Sequence, residues 1–227
     1  YRPSDDGKLT FIANSFRQTA DDPQGQTWSG YQANPRSVAQ PALDYNTRKS
    51  IDHMQGGLTY EHRFGDHSVL ASVYAGQRST IQYQSIPAGP QANPKHSGGV
   101  IDFDRDFAGA STRWIGRFQL AGGKLTTTVG VEYEQAIDQR RGYENFIGTT
   151  LGVKGNQRRA EEDRVASFDQ YAQAEWQGER WTFSGGLRHS NVSFSVKDAY
   201  LSNGNDSGNV SYEKTTPTIA AMFRLTP

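Results

Sequence analysis

Leu125-Thr-Thr-Thr-Val-Gly-Val-Glu-Tyr-Glu134 decides the fold class, because its side chains sort at a period of two. Leu125, Thr127, Val129, Val131 and Tyr133 fall on one face; Thr126, Thr128, Gly130, Glu132 and Glu134 fall on the other. Successive strand residues point to opposite sides, so the segment predicts a strand with one apolar and one polar face. The pattern recurs along the chain. Met54, Leu58, Tyr60 and Phe64 oppose Gln55, Thr59, Glu61 and Arg63, while Ala172, Ala174 and Trp176 oppose Tyr171, Gln173 and Glu175. Ile219, Ala221, Phe223 and Leu225 likewise oppose Thr218, Ala220, Met222 and Arg224. Val69 to Arg78 is mixed, and its faces do not separate in the sequence.

Outward from this segment, eight strands are predicted at about 8–18, 48–64, 68–84, 108–120, 124–138, 166–177, 180–196 and 210–226. Several exceed the roughly 9–11 residues that cross a bilayer as a tilted strand. Strands in soluble proteins more often have five or six. Three links are short: Gly65-Asp66-His67, Ala121-Gly122-Gly123 and Gly178-Glu179. Four are long: Thr19 to Thr47, Ser85 to Phe107, Gln139 to Val165 and Lys197 to Asn209. Long and short alternate without exception. Outer-membrane barrels are built this way, with short periplasmic turns and long extracellular loops, which places both ends of this chain on the periplasmic side. Phe64, Phe118, Trp176, Trp181 and Phe223 sit beside the short turns, as an interfacial aromatic girdle requires. The plainer reading is that aromatics are good strand formers. A β-sandwich would show turn signals every 8–12 residues, and a propeller would show a repeated blade motif; the chain has neither. The fold class is therefore all-β, an antiparallel transmembrane β-barrel wall of about eight strands.

Composition narrows the function. The 227 residues carry 24 Lys and Arg against 24 Asp and Glu, a balance that argues against a nucleic-acid binder. There is no cysteine, which removes disulfides, thiolate metal sites and cysteine nucleophiles. No run approaches the roughly 18 apolar residues of a membrane-spanning helix. The polar average does not exclude a barrel, whose strands turn every second residue to the lumen. The chain opens at Tyr1 with no basic-then-apolar leader, so any signal peptide is expected outside it. Leu225-Thr226-Pro227 reads as a strand running into a turn.

Phe168-Asp-Gln-Tyr-Ala-Gln-Ala-Glu-Trp176, a short turn and Trp181-Thr-Phe-Ser-Gly-Gly-Leu-Arg188 resemble the barrel hairpin of TonB-dependent receptors. Tyr212-Glu-Lys-Thr-Thr-Pro217 to Arg224-Leu-Thr-Pro227 resembles their next strand, and Asn46-Thr-Arg-Lys-Ser50 and Gly98-Gly-Val-Ile-Asp-Phe-Asp-Arg105 their mid-barrel segments. The resemblance spreads over most of the chain and rests on the order and spacing of soft motifs. It implies an outer-membrane active transporter with a 22-stranded barrel occluded by an N-terminal plug. Such transporters import ferric siderophores or similar iron chelates, driven by TonB from the inner membrane. No plug and no TonB-contacting box is recognisable in residues 1–227, and a terminal aromatic strand is lacking. The expected domain is thus a partial barrel, an arc of the 22 strands, with TonB reached through the absent plug. The implied location is the outer membrane of a Gram-negative bacterium, among lipid and lipopolysaccharide.

Ligands of such receptors are captured by extracellular loops and the upper lumen. The first long link holds Trp28, Tyr31, Arg36 and Tyr45; the third holds Arg140, Arg141, Tyr143, Lys154, Arg158, Arg159 and Arg164. Guanidinium forks and aromatic faces suit an anionic, aromatic ferric chelate. Charged loop residues are ordinarily just solvated, though, and Glu161, Glu162 and Asp163 offset the arginines; lipopolysaccharide phosphates are another destination. Arg78, Arg113, Glu132, Glu134 and Arg188 are expected on lumen faces, either against the plug or solvated. His53, His62, His67, His96 and His189 have no ligand spacing. Asn203-Gly-Asn-Asp-Ser-Gly208 lacks the glutamate of a calcium loop, Lys214 standing in its place, and reads as a turn. No catalytic, cofactor or metal motif is present. Two other classes compete with the transporter: a complete eight-stranded outer-membrane barrel with a structural or adhesion role, and a barrel protease or lipase. The first would close on itself, and the second needs a rim cluster of Asp, His and Ser.

Overall fold

The computed structural model describes residues 1–226; Pro227, the last residue of the final resembling run, lies outside them. In chain order the strands are β1 (Gly7–Asp21), β2 (Arg48–Phe64), β3 (His67–Tyr83), β4 (Val100–Leu120) and β5 (Gly123–Tyr143). A small hairpin of β6 (Phe146–Ile147) and β7 (Thr150–Leu151) follows, then β8 (Gln157–Gln177), β9 (Trp181–Asp198) and β10 (Gly208–Phe223). The eight long strands form one antiparallel sheet in sequence order, without crossovers, and the small hairpin stands apart. β1 and β10 each have a single neighbour, so the sheet is an open arc. Short helices occupy two of the long links: α1 (Trp28–Ala33) and α2 (Gln40–Asp44) in the first, α3 (Ala88–Gln91) in the second.

The short links are tight turns. Leu120 pairs with Gly123, leaving Ala121 and Gly122 as a two-residue loop with φ of +50° and +73°. Two positive φ values match the twist of the flanking strands, the geometry that favours Asn-Gly. Alanine is strained there, and Ala121→Asn is expected to raise unfolding free energy by about 1 kcal/mol. Urea titration of the bilayer-inserted protein checks this, and an unchanged midpoint would contradict it.

Three strands run further than their sequences indicate. β4 begins at Val100 rather than near 108, β5 continues past 138 to Tyr143, and β8 begins at Gln157 rather than near 166. Arg140, Arg141, Tyr143, Arg158, Arg159 and Arg164 are therefore strand residues and not loop residues. Asp, Arg and Glu are poor strand formers in isolation. Here they pair across the ladder: Arg105 with Asp138 at 2.6 Å, Arg140 with Asp163 at 2.9 Å and Arg141 with Asp102 at 2.9 Å. Opposite charges facing one another stabilise a sheet.

Register assigns every side chain to a face. One face carries Phe64, Phe118, Trp176, Trp181 and Phe223, all five girdle aromatics. These rings touch their neighbours, as in Trp181–Phe223 at 4.8 Å and Phe118–His67 at 5.3 Å. Between them and the Tyr133–Phe168 pair, this face is mostly apolar, with Thr127, Gln170 and Thr112 among its few polar residues. Ala42 and Val100 are the buried hydrophobic residues among those described, whereas Phe11, Val73, Val129, Leu187 and Ile219 are exposed. A sheet with its apolar residues outside is built for lipid, not for water. Leu125 to Tyr133 spans about 26 Å along the strand, or about 20 Å along the normal at the usual tilt, near the thickness of a barrel's apolar band. The opposite face is polar at this level, with Thr126, Thr128, Glu132, Gln173, Asp169, Ser184 and Arg188. It is the lumen wall. The register also separates the faces of Val69 to Arg78: Val69, Ala71 and Val73 face lipid, while Leu70, Ser72, Tyr74 and Arg78 face the lumen.

Above Tyr133 the outer face turns polar on β4 and β9, while the inner face mixes apolar and charged residues. Asp102, Asp104 and Asp106 take the outer face of β4, and Ile101, Phe103 and Phe107 the inner one. On β9, Ser193, Ser195 and Lys197 face outward while Val192, Phe194 and Val196 face inward. The wall has left the bilayer and stands in water.

Candidate functional site

The inner wall above the bilayer is a layered surface. Gly76, Phe107, Ala136, Val165, Phe194 and Val210 form one row across six strands. The next row outward reads His53, Arg78, Arg105, Asp138 and Asp163. Rings cross their neighbouring strands where glycine leaves room. A Cβ on Gly76 would lie 2.5 Å from Phe107, whose ring passes over β3 to stack on His53 at 5.8 Å. Tyr74 crosses Gly109 in the same way and donates its hydroxyl to Glu134 at 2.8 Å.

Most charges on this face are matched. Arg105 donates Nε and Nη2 to the two oxygens of Asp138, at 2.6 and 2.7 Å. Arg188 bridges Glu132 and Asp169 at 2.8 and 2.6 Å. These pairs fix side chains that sequence alone leaves unplaced. Arg78 has no ion pair among the described residues. It lines a cleft of about 410 Å³ together with His53, Arg105, Phe107, Glu134 and Val165.

Over the wall the long links pack into a rim. Asn145 is fully buried and donates Nδ2 to the carbonyls of Gln84 and Ile86, at 2.6 and 3.1 Å. Gln91, also buried, donates Nε2 to Asn145 Oδ1 at 2.7 Å. Arg158 donates to the carbonyl of Asn93 at 2.7 Å, so it ties β8 to the second long link. Arg48, the first residue of β2, reaches Gly152 O at 3.5 Å.

The candidate ligand residues divide accordingly. Trp28 and Tyr31 stack at 5.7 Å on α1, both exposed to solvent. Arg36 is exposed and Tyr45 half-buried in the same link. Arg140 faces the lumen but is paired with Asp163. Arg141 and Tyr143 lie on the outer face, away from the lumen. Arg141 is clamped by Asp102 and Asp104. Lys154 donates to Asp102 at 2.7 Å and lies 4.0 Å from the Tyr143 ring. Burial alone would lower its ammonium, but Asp102 outweighs it and holds Lys154 above the usual lysine range. Arg78, Arg113, Glu132, Glu134 and Arg188 share the lumen face, as expected, with register settling the position of Arg78. His53, Arg105 and Phe107 are site residues that the sequence alone does not single out. For Arg105 and Phe107 a signal exists, because Ile101-Asp-Phe-Asp-Arg-Asp-Phe107 places aspartate at every second position.

Long strands, a lipid face between aromatic rings and a charged lumen define a transmembrane β-barrel wall of the wide, lumen-bearing class. The profile described as TonB dependent receptor-like, beta-barrel matches residues 1–227, and the chain belongs to that family. Among solved structures, the ferric citrate transporter FecA in unliganded form matches with a TM-score of 0.82 at 17% identity, over 100% of this chain and 32% of its own. BauA, the ferric preacinetobactin receptor from Acinetobacter baumannii, gives 0.74 at 13%, over 98% of this chain and 36% of its own. The siderophore receptor PiuA from the same organism gives 0.70 at 12%, over 97% and 38%. The chain thus spans about a third of the length of these receptors.

Proposed function

We propose that residues 1–227 are an arc of the 22-stranded barrel of an outer-membrane TonB-dependent receptor that takes up a ferric siderophore or a similar iron chelate. The observation that carries this reading is the inner wall above the bilayer, where arginines and aromatic rings face the lumen beneath a packed rim. Anionic chelates with aromatic groups are complementary to such a surface. The unpaired edges of β1 and β10 support an arc over a self-closed eight-stranded barrel. The plug and the remaining strands then lie elsewhere in the polypeptide. TonB acts through that plug, and lipopolysaccharide surrounds the outer face in a Gram-negative outer membrane. The role is transport and not enzymatic.

Deleting the gene should abolish growth on at least one ferric chelate as sole iron source and lower radioactive iron uptake from it more than tenfold. The same loss should follow deletion of TonB. If the deletion strain matched its parent on a broad panel of ferric siderophores and ferric citrate, the iron reading would fall.

A further inference from the structure

We infer that the cleft between β2 and β8 is a subsite for an exchangeable aryl carboxylate, with the carboxylate on Arg78 and Arg105 and the ring against Phe107 and Val165. The inference rests on the transport reading and names the chemistry of one part of that lumen. Arg78 lies directly opposite Arg105 across the β3–β4 ladder, and His53 lies directly opposite Arg78 on β2. Like charges set opposite each other destabilise a sheet. Asp138 matches only one of the two guanidiniums, so an anion between them would remove the conflict. Arg105 spends Nε and Nη2 on Asp138, and its other guanidinium nitrogen keeps donors to spare. Nδ1 of His53 is buried with no partner among the described residues, a group ordinarily satisfied when buried. Arg78 is therefore the lining cation without an ion pair among the described residues, with the spare donors of Arg105 directly across the ladder from it.

The flank of the cleft sets the rest of the ligand. Phe107, Ala136 and Val165 form its apolar side, continuous with Phe194 and Val210 on the neighbouring strands. The single carboxylate that lines the cleft, among the described residues, is Glu134. It lies two strands from Arg78 and is held by the Tyr74 hydroxyl. Along β5 it stands four positions from Asp138, about 13 Å nearer the periplasmic turn. The cleft thus joins a cationic edge to an apolar flank within about 410 Å³, the arrangement of an orienting polar group in a mostly apolar pocket.

The test uses the intact receptor in detergent and 4-iodobenzoate as probe, with 4-iodobenzyl alcohol as its uncharged counterpart. Calorimetry should show iodobenzoate binding to the wild type, at least tenfold weaker binding to Arg78→Gln, and an intermediate value for Arg78→Lys. The alcohol should bind at least tenfold more weakly than the acid. In soaked crystals the anomalous iodine peak should lie beside Phe107 and Val165. Absence of binding, equal affinity in Arg78→Gln, or an iodine peak elsewhere would overturn the subsite. So would density for an Asp or Glu of the same polypeptide seated on Arg78, which would make the cleft a plug contact. None of these readouts depends on iron uptake, so the subsite and the transport reading can fail separately.

Discussion

Val129→Arg should cost about 2–4 kcal/mol of unfolding free energy in a bilayer, whereas Thr128→Arg, one residue away, should cost close to nothing. Val129 sits between Trp114 and Ala172 on the lipid face, midway between the Leu125–Trp176 and Tyr133–Phe168 levels. That position is the middle of the apolar band, where a guanidinium has neither water nor headgroups within easy reach. An arginine at the midplane of a barrel's lipid face is destabilising by this amount. Thr128 pairs with Ile115 and Gln173 on the lumen face. An arginine there extends into the lumen, among Glu132, Asp169 and Glu175. Guanidinium titration of the intact receptor in lipid vesicles measures both variants. Equal costs would mean that the two faces meet the same solvent, and the membrane assignment would be wrong. A larger cost at Thr128 would reverse the faces.

The same period-two logic explains which parts of the fold are legible in the sequence. Membrane-level strands are legible because one face must satisfy lipid and the other water, and Leu125 to Glu134 displays that division in ten residues. The turns are legible because Gly122 and Gly65 sit at positive φ, which selects glycine. The upper halves of β5 and β8 are hidden because both of their faces meet water, and in β4 only the alternation of Ile101 to Phe107 betrays the strand. Their acidic and basic residues carry ordinary loop composition, and their order comes from partners 20 to 40 residues away. Arg141 shows the consequence. Its neighbours in sequence give no sign that Asp102 and Asp104 will clamp it on the outer face. The site was legible only at the level of residue type. Arg78 stands out as a charged strand residue, but its inward direction is settled by register and its lack of a partner by the assembled row. Arg105 and Asp138, separated by 33 positions, acquire a relationship only through register.

Asn145→Ala should loosen the extracellular rim by about 3 kcal/mol while leaving the bilayer-spanning wall intact. The substitution removes two donated hydrogen bonds, to Gln84 O and Ile86 O, and the acceptor of Gln91 Nε2. Asn145 and Gln91 are both almost wholly enclosed, so the groups left behind lose their partner where water has poor access. Each such buried group costs about 1–3 kcal/mol. Gln91 keeps its bond to Ile86 O at 2.7 Å, which holds the total near the lower end of the sum. The loss is local, because Asn145 lies beyond the last residue of β5 and outside the apolar band. Hydrogen exchange on the intact receptor reads it directly. Amides of Gln84, Gly99, Gly152 and Gly155 donate to carbonyls within this knot at 2.8–2.9 Å, and they should exchange about a hundredfold faster in the variant. Amides of β5 below Tyr133 should not change. If the lumen-facing row beneath is held open by this rim, ligand association should slow in the variant while the anion contact at Arg78 stays intact. Unaltered exchange at all four amides would mean that the polar knot contributes nothing to the order of the rim.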